Sequence, residues 1–398
     1  MRRAALLLAA LAAGPAFAGP VGAPRPPLRE ALKGAPQRFV GDLTSASALW
    51  KKILPPDSLL GWRMGRNVAA THNDLYLYAS NEQGFLSTGS YSFRFEVPKP
   101  RGVFRVIVVG GSTVMGQGAP TPSGNLPAMI EKRLKERLPG RALEVINAGV
   151  GGYDSTQEFL YLESELADYE PDLVVVYDGW NDQSYNNIVL AQKRPDFSWL
   201  KTNTHYDLDR RLEASYTAGG NALMLAQSLG AILRRPIAWF RLGRRVLGKI
   251  DSIAASRRER GESGLLQKYD PRSVEWYRRN LELMRFVASE RGFKIALFLQ
   301  PLLGLDGKTL TEEEKAVAER IADKAVREAF YRDARPMFAK LAKSGRAADL
   351  STALARETGR MYVDSGHLTP EGNDKVALAL VERLAAWRLL PSAGGAAR

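Results

Sequence analysis

The sequence predicts an α/β protein built on a doubly wound, five-stranded parallel sheet with helices on both faces. Two observations predict this fold class. Short runs rich in Val, Ile and Leu alternate along the chain with segments in which apolar residues recur at helical spacing. The strand-like runs are apolar at consecutive positions, which is typical of parallel strands buried on both faces. Strands that alternate with helices in this way form a parallel sheet with right-handed crossovers.

The 398-residue chain begins with the features of a secretory signal. Arg2 and Arg3 precede an apolar run that is too short to span a bilayer, and Ala16-Phe-Ala18 fits the small-residue cleavage rule. We therefore expect residues 1–18 to be a signal peptide and the mature protein to be periplasmic or secreted. The chain has no cysteine, which excludes disulfides, thiolate metal sites and a cysteine nucleophile.

Two segments precede the predicted sheet. Residues 19–40 are rich in Pro, Gly and Arg and are expected to form a flexible N-terminal segment. The region 41–100 is irregular, with a tryptophan-bearing helical stretch near Ser45–Leu54 and short extended pieces at Tyr76–Tyr78 and Tyr91–Val97. We interpret this region as an N-terminal embellishment that packs on the core and is not an independent domain.

The first strand of the sheet is predicted at Arg105–Val109. It is dominated by Val and Ile and stops at Gly110-Gly111, so that Ser112 stands at its carboxyl end. In open α/β sheets, ligands bind just beyond the carboxyl ends of the strands. The two glycines allow the backbone to bend sharply at this point. Taken alone, a serine at a strand end is more often a turn residue than a nucleophile.

Two further strand–helix units follow. Asn125 is predicted to cap a helix with proline in its first turn, and this helix ends at Pro139-Gly140. Ser155 and Glu158 have the spacing of a capping box and are predicted to open the next helix. The strands of this part are predicted at Ala142–Ile146 and Leu173–Tyr177.

Residues 183–268 interrupt the alternation and are predicted to form a helical basic insertion. The stretch Leu233–Arg260 carries nine basic residues against two acidic ones, interleaved with apolar and aromatic side chains. A basic amphipathic helix of this kind can lie on an anionic membrane, so the 234–260 segment is a candidate contact with an anionic envelope surface. A helical lid whose charged face is solvated is the alternative, and we favour it.

The alternation then resumes to the end of the predicted α/β domain, 101–390, which is followed by a C-terminal tail, 391–398. Thr311 and Glu314 are predicted to open a long helix that bends at Pro336. The fourth and fifth strands are predicted at Lys294–Leu299 and Arg360–Val363, and the flanking helices at Asp270-Pro271 and Thr369-Pro370.

Charge and motif content restrict the partners. The net charge of +13 favours anionic partners such as polyanionic glycans or lipid headgroups. No zinc-finger, RNP or helix-turn-helix pattern occurs, and we expect no nucleic-acid partner. The three histidines, His72, His205 and His367, have no ligand spacing, so we expect no metal and no cofactor.

Polar or glycine-rich clusters follow four of the predicted strands and would meet at one edge of the sheet. Ser112 needs a base to take its proton. Only His367 among the histidines follows a core strand, and Asp364, three residues earlier, can orient its imidazole. The Gly151-Gly152 loop and the Asn181 amide can supply donors to an oxyanion.

Each of these parts has a non-catalytic alternative. The loop Asn147–Gly152 could bind phosphate, although Asp154 breaks the G-x-G-x-x-G pattern. Asn181 could be a turn residue and His367 a helix-start residue. Their joint occurrence, in order, at four strand ends favours one shared site.

These clusters resemble the four sequence blocks of the SGNH (GDSL-type) hydrolase family, and the resemblance covers about 103 to 388. The blocks are Gly110–Thr113, Asn147–Gly152, Gly179–Asp182 and Asp364–His367. The resemblance implies a flavodoxin-like, three-layer α/β/α fold. It also implies the catalytic residues Ser112, Asp364 and His367 and an oxyanion hole formed by Ser112, Gly152 and Asn181. One difference from the family is Gly111. The block from which the GDSL name derives has aspartate at this position, directly before the serine.

The function implied is that of an exported serine esterase, which hydrolyses O-acyl or O-acetyl groups on a carbohydrate or lipid through an acyl-serine intermediate. One alternative is a polysaccharide O-acetyltransferase that uses the same site. Another is a catalytically silent protein that binds a glycan or membrane surface, but such a role would not need the complete set of site residues. No G-x-S-x-G elbow occurs, so an α/β-hydrolase fold has little support.

Overall fold

The structure is a computed structural model, and it describes residues 39–42, 53–72, 76–89, 92, 94–183, 269–321 and 323–392. Its strands are β1 (Phe39–Asp42), β2 (Pro56–Asp57), β3 (Gly61–Trp62), β4 (Val68–His72), β5 (Tyr76–Ala79), β6 (Phe104–Gly110), β7 (Leu143–Gly149), β8 (Leu173–Asp178), β9 (Lys294–Leu299) and β10 (Ala347–Asp349). Its helices are α1 (Ser112–Met115), α2 (Leu126–Arg137), α3 (Ser155–Ser164), α4 (Arg272–Arg291), α5 (Glu312–Ala318), α6 (Lys324–Ser344) and α7 (Pro370–Ala386). Short 3₁₀ turns lie at Pro122–Gly124 and Leu166–Tyr169.

The central element is a five-stranded sheet in the order β10-β9-β8-β6-β7, with every neighbouring pair parallel. The strand order reverses between β6 and β8, the first and third strands of the sheet along the chain. This is the doubly wound, flavodoxin-like order, in which ligands bind beyond the carboxyl ends of the strands at the reversal point. The predicted fold class is confirmed, and the predicted site edge coincides with that point.

Side chains from the two faces of the sheet form two separate apolar clusters. In β6, Ile107 and Val109 face one cluster, whereas Val106 and Val108 face the other, as the alternation of side chains along a strand requires. The first cluster contains residues of α3, α4 and α6, and the second contains residues of α2 and α7. Helices therefore cover both faces of the sheet, which gives the three layers.

The prediction of the fifth strand at Arg360–Val363 is wrong. The fifth strand is β10, which pairs with β9. The backbone N–H groups of Met361 and Tyr362 instead donate to Oε1 of the buried Glu314, at 2.8 and 3.1 Å. These donors are therefore not available to a sheet ladder. The β10 sequence, Ala-Ala-Asp, has little strand propensity, so its pattern gave no signal.

The capping box predicted at Ser155 and Glu158 is also wrong. The N-cap of α3 is Asp154, whose side chain accepts from the backbone N–H groups of Thr156 and Gln157. The Ser155 and Glu158 side chains turn into the interior instead. By contrast, the side-chain caps predicted at Asn125 and Thr311 are confirmed. The helix start predicted at Thr369-Pro370 is also confirmed, and the Thr369 side chain accepts from the backbone N–H of Gly372.

The single long helix predicted after Thr311 is instead two helices, α5, which ends at Ala318, and α6, which begins at Lys324. The helix formers in this stretch favour continuation, but the two halves pack on opposite sides of the sheet. Val317 and Ile321 pack against the cluster under α2 and α7, whereas Phe330 and Phe338 of α6 lie in the other cluster. The chain must turn to cross between the faces, so tertiary packing overrides local propensity.

The N-terminal region contributes to the same interior. Strands β1, β4 and β5 form a small sheet, and β2 pairs with β3. Ile53, Trp62 and Phe85 are buried in the first cluster with residues of β6 and β8. The extended piece predicted at Tyr76–Tyr78 is β5, whereas the described residues near Tyr91–Val97 form no strand.

Several predictions lie outside the described residues. They are the signal peptide (1–18), the flexible segment (19–40) up to residue 38, most of the helix near Ser45–Leu54, the insertion (183–268) after Gln183, and the tail (391–398) after Ser392. None of the helices that the structure describes has the length and apolar character needed to cross a membrane.

Candidate active site

Ser112 lies where the sequence predicted it, separated from the end of β6 by Gly111, and is the first residue of α1. The glycines around it permit close backbone packing at the strand ends. A Cβ on Gly110 would lie 2.5 Å from the Tyr177 carbonyl oxygen, and one on Gly149 would lie 2.2 Å from the Met115 nitrogen. A larger residue at Gly110 would force β6 away from β8, and one at Gly149 would force β7 away from α1.

The fold brings Ser112, His367 and Asp364 into one hydrogen-bonded chain. The Ser112 Oγ lies 2.7 Å from Nε2 of His367, and Nδ1 of His367 lies 2.6 Å from Oδ2 of Asp364. In the tautomer that satisfies both contacts, Nδ1 donates to the carboxylate and Nε2 accepts from the serine hydroxyl. The imidazole can therefore take a proton from Ser112 while Asp364 stabilises the resulting charge.

Asp364 is held as a carboxylate by its surroundings. Its Oδ1 accepts from the backbone N–H groups of Gly366 and His367, at 3.0 and 2.8 Å. Burial acts to raise the pKa of Asp364, but the hydrogen bond and charge of His367, with these two N–H groups, lower that pKa below its usual value. Asp364 is thus ionised in the range in which histidine bases operate.

The His367 ring also packs against Trp180, at 4.8 Å between ring centroids in an edge-on arrangement. Gly366 permits this contact, because a Cβ there would lie 2.3 Å from the indole ring. The guanidinium of Arg327 lies 5.5 Å from the Trp180 centroid, within the range of a cation–π contact. Sequence reasoning missed both residues, since Trp180 stood as a spacer in a motif and Arg327 lies on a distant helix.

Of the predicted oxyanion residues, Asn181 borders the Ser112 loop, and Gly152 lies in the turn next to the residue that Asn181 contacts. Asn181 lies in a helical turn that begins at Trp180, and its Nδ2 donates to the Tyr153 carbonyl oxygen at 2.7 Å. A Cβ on Gly111 would lie only 2.5 Å from the same Nδ2, so this amide borders the Ser112 loop. Gly152 adopts φ +82° in the turn that follows β7, a conformation that favours glycine.

A group of four fully buried carboxyl groups lies next to Asn181; we call Asp154, Glu158, Asp178 and Asp182 the buried acid cluster. Asp182 accepts from the backbone N–H of Ser155 at 3.3 Å and from the Ser155 hydroxyl. Tyr277 donates to Asp178. The cluster ties the Asn181 turn to α3 and α4. Sequence reasoning missed it because the spacing of Ser155 and Glu158 also fits a capping box.

Burial raises the pKa of every member of this cluster. It raises the pKa of Asp154 to about 7. For Glu158 and Asp182, burial raises the pKa most and the negative charge of Asp178 adds to the rise. The cluster therefore binds protons more tightly than exposed carboxyl groups do.

The other two histidines do not join the site. His72 is the last residue of β4 and pairs with Tyr76 in the N-terminal sheet, and His205 lies outside the described residues. Within the described ranges, no three or more His, Cys, Asp or Glu side chains are arranged to hold a metal ion.

A serine hydrogen-bonded to a histidine–carboxylate pair, at the reversal point of a doubly wound parallel sheet, is the site of a serine hydrolase. The chain belongs to the GDSL-like lipase/acylhydrolase family, which matches it over residues 108–375. It is therefore a carboxylic ester hydrolase, and the resemblance to the SGNH (GDSL-type) family is confirmed.

Solved structures similar to this chain include the lipase/acylhydrolase from Enterococcus faecalis, with 16% identity, a TM-score of 0.39, and coverage of 72% of this chain and 98% of that one. The acetyl xylan esterase AlAXEase has 14% identity, a TM-score of 0.36, and coverage of 70% and 98%. The structure of TesA has 18% identity, a TM-score of 0.37, and coverage of 72% and 99%. No curated protein sequence matches the chain.

Proposed function

We propose that this chain is an exported serine esterase that hydrolyses O-acyl or O-acetyl esters of a carbohydrate or a lipid through an acyl-serine intermediate. The observation that carries the catalytic part is the continuous hydrogen-bonded chain from Ser112 through His367 to Asp364, with links of 2.7 and 2.6 Å. The basic start and short apolar run before Ala16-Phe-Ala18 support export.

In the acylation step, the Ser112 Oγ attacks the ester carbonyl carbon while Nε2 of His367 takes the hydroxyl proton. Asp364 keeps the imidazole in the required tautomer and stabilises the imidazolium. His367 then gives its proton to the departing alcohol oxygen as the ester C–O bond breaks. In the second step, His367 takes a proton from water, whose oxygen attacks the acyl-serine carbonyl carbon. The bond from that carbon to the Ser112 Oγ then breaks, His367 returns the proton to Oγ, and the carboxylic acid is released.

The tetrahedral intermediates carry negative charge on the former carbonyl oxygen. The backbone N–H groups of Ser112 and Gly152 and the side-chain amide of Asn181 are the donors that we assign to this charge. Because these groups are fixed before the substrate arrives, they stabilise the oxyanion without reorganisation during the reaction.

The substitution Ser112→Ala tests this assignment. It should lower kcat for 4-nitrophenyl acetate by about four to six orders of magnitude, since removal of a nucleophile abolishes the covalent route. Steady-state hydrolysis at neutral pH is the measurement. Ser164→Ala is the matched control, because the Ser164 hydroxyl is exposed and donates to the Leu160 carbonyl on α3; it should keep wild-type activity. Substantial hydrolysis by Ser112→Ala would contradict the proposal.

The acceptor of the acyl group needs its own experiment. An acetylated oligosaccharide serves as the acyl donor, and an unacetylated oligosaccharide is added as a competing acceptor. We expect free acetate to be released even when this competing acceptor is present. Acetyl transfer to that second oligosaccharide in preference to water would instead favour the acetyltransferase alternative.

A further inference from the structure

We infer that Trp62, in the N-terminal region outside the matched family segment, is a positioning residue for the oxyanion hole. The inference rests on the proposed roles of Gly152 and Asn181. Trp62 lies in β3 and none of its surface is exposed. As a positioning residue, it acts without contacting the ester, by fixing the loop that carries the Gly152 N–H.

Trp62 is bonded to both residues that flank Gly152. Its indole Nε1 donates to the Gly151 carbonyl oxygen at 2.8 Å. In the reverse direction, the Tyr153 hydroxyl donates to the Trp62 carbonyl oxygen at 2.5 Å. The two aromatic rings also meet edge to face, with centroids 5.9 Å apart. The residues before and after Gly152 are thus held by one side chain and one carbonyl of Trp62.

The same contacts extend to the second oxyanion donor. The Tyr153 carbonyl oxygen accepts one N–H of the Asn181 amide at 2.7 Å, which leaves the other N–H of that amide with a fixed direction. A shift of Tyr153 would therefore rotate Asn181 as well as Gly152. Trp62 is in this way connected to two of the three proposed donors.

The backbone two residues before Trp62 is held by a side chain of α3. The carbonyl oxygen of Leu60 accepts from Nε2 of the buried Gln157 on α3 at 2.8 Å. An indole combines a large apolar surface with one N–H donor, so it can fill the core and hold a carbonyl at once. Phe at this position would preserve most of the packing and remove the donor.

The test is Trp62→Phe, assayed with 4-nitrophenyl acetate. We expect kcat to fall about 10- to 100-fold, because a misplaced donor loses much of its effect on the transition state, while KM changes less than about 3-fold. Phe85→Leu is the matched control, since Phe85 is buried in the same region against Phe95 and Tyr169. It should lower the unfolding temperature and leave kcat within about 2-fold.

A double-mutant cycle with Asn181→Ala separates positioning from general loosening. If Trp62 acts through the oxyanion hole, the Trp62→Phe loss is smaller in the Asn181→Ala background than in the wild type. The same factor in both backgrounds would overturn the inference, as would equal kcat losses for Trp62→Phe and Phe85→Leu. Tyr153→Phe, which removes the reverse bond, gives the same cycle if Trp62→Phe does not fold. An active Ser112→Ala would refute the proposed function instead, whatever the cycle shows.

Discussion

At the residue scale, the imidazole of His367 is the side chain on which the other groups of the site converge. It contacts Ser112, which is 255 residues earlier in the chain, as well as Asp364 and the ring of Trp180. The Ser112–His367 pair could be predicted because both residues follow strand-like runs and Asp364 precedes the histidine at turn spacing. The contact of Trp180 with His367 could not be predicted, because no local pattern distinguishes an indole that packs on a catalytic base from one in the core.

The substitution Asp364→Asn should leave the fold intact and lower kcat by about 10⁴, because an amide can favour the wrong imidazole tautomer and does not stabilise the imidazolium. Steady-state kinetics with 4-nitrophenyl acetate and a thermal unfolding curve are the measurements. Asp374→Asn is the control, since Asp374 forms ion pairs with Lys132 and Arg133 away from the site. A loss of less than 10-fold for Asp364→Asn would contradict the role given to this carboxylate.

At the element scale, the strands that could be predicted are those whose sequence alone demands burial. The apolar runs of β6, β8 and β9 identify central strands, whereas β7 begins one residue after its predicted start and continues to Gly149, three residues beyond its predicted end at Ile146. The edge strand β10 is three residues long and rests on its pairing with β9, which no local propensity encodes. The break between α5 and α6 could not be predicted for a related reason, since it depends on which face of the sheet each helix covers.

The buried acid cluster gives α3 a pH-dependent contribution to stability. Burial, the largest cause, raises the pKa of Asp154 from its ordinary value of 3.8 to about 7 in the folded protein. Between these two pH values the folded state binds more protons than the unfolded state, so the free energy of unfolding falls as pH rises. The loss is complete above the folded-state pKa.

Asp154→Asn tests this expectation, because asparagine keeps the N-cap of α3 and cannot ionise. The substitution should flatten the decline in the free energy of unfolding between pH 5 and pH 8, by on the order of 2 kcal/mol. Urea unfolding at several pH values is the measurement. Asp168→Asn, at an exposed position shortly after the same helix, is the control and should keep the wild-type slope. A variant Asp154→Asn with an unchanged slope would show that this carboxyl group does not hold its proton in the fold.

At the scale of the whole molecule, the N-terminal region and the sheet share one interior. Trp62 and Phe85 lie in the same apolar cluster as Ile107 and Val176, and the backbone N–H of Leu86 donates to the Asn147 carbonyl near the end of β7. The sequence of this region predicted packing on the core, but not its contacts. Trp62 and Gly151 are hydrogen-bonded although they are 89 residues apart in the sequence, and no motif at either residue indicates a contact with the other.

The proposal of export makes a prediction for the whole chain. When the full chain is expressed in a bacterium that carries a secretory pathway, the mature protein should begin at Gly19, because the small residues Ala16 and Ala18 define the cleavage site. N-terminal sequencing or intact-mass analysis of the periplasmic fraction is the measurement. A change of Ala18 to a bulky residue should block the processing. An active protein that stays in the cytoplasm with residues 1–18 attached would contradict the proposal.

In the proposed mechanism, Ser112 forms a covalent bond to the acyl group. The most direct measurement is to mix the protein with 4-nitrophenyl acetate, quench the reaction in acid and map the peptides by mass spectrometry. We expect an acetyl group on the peptide that contains Ser112 and nowhere else, and its absence from that peptide in Ser112→Ala. An acetyl group on a different residue that accumulates at the rate of turnover, or turnover by Ser112→Ala at the wild-type rate, would contradict it.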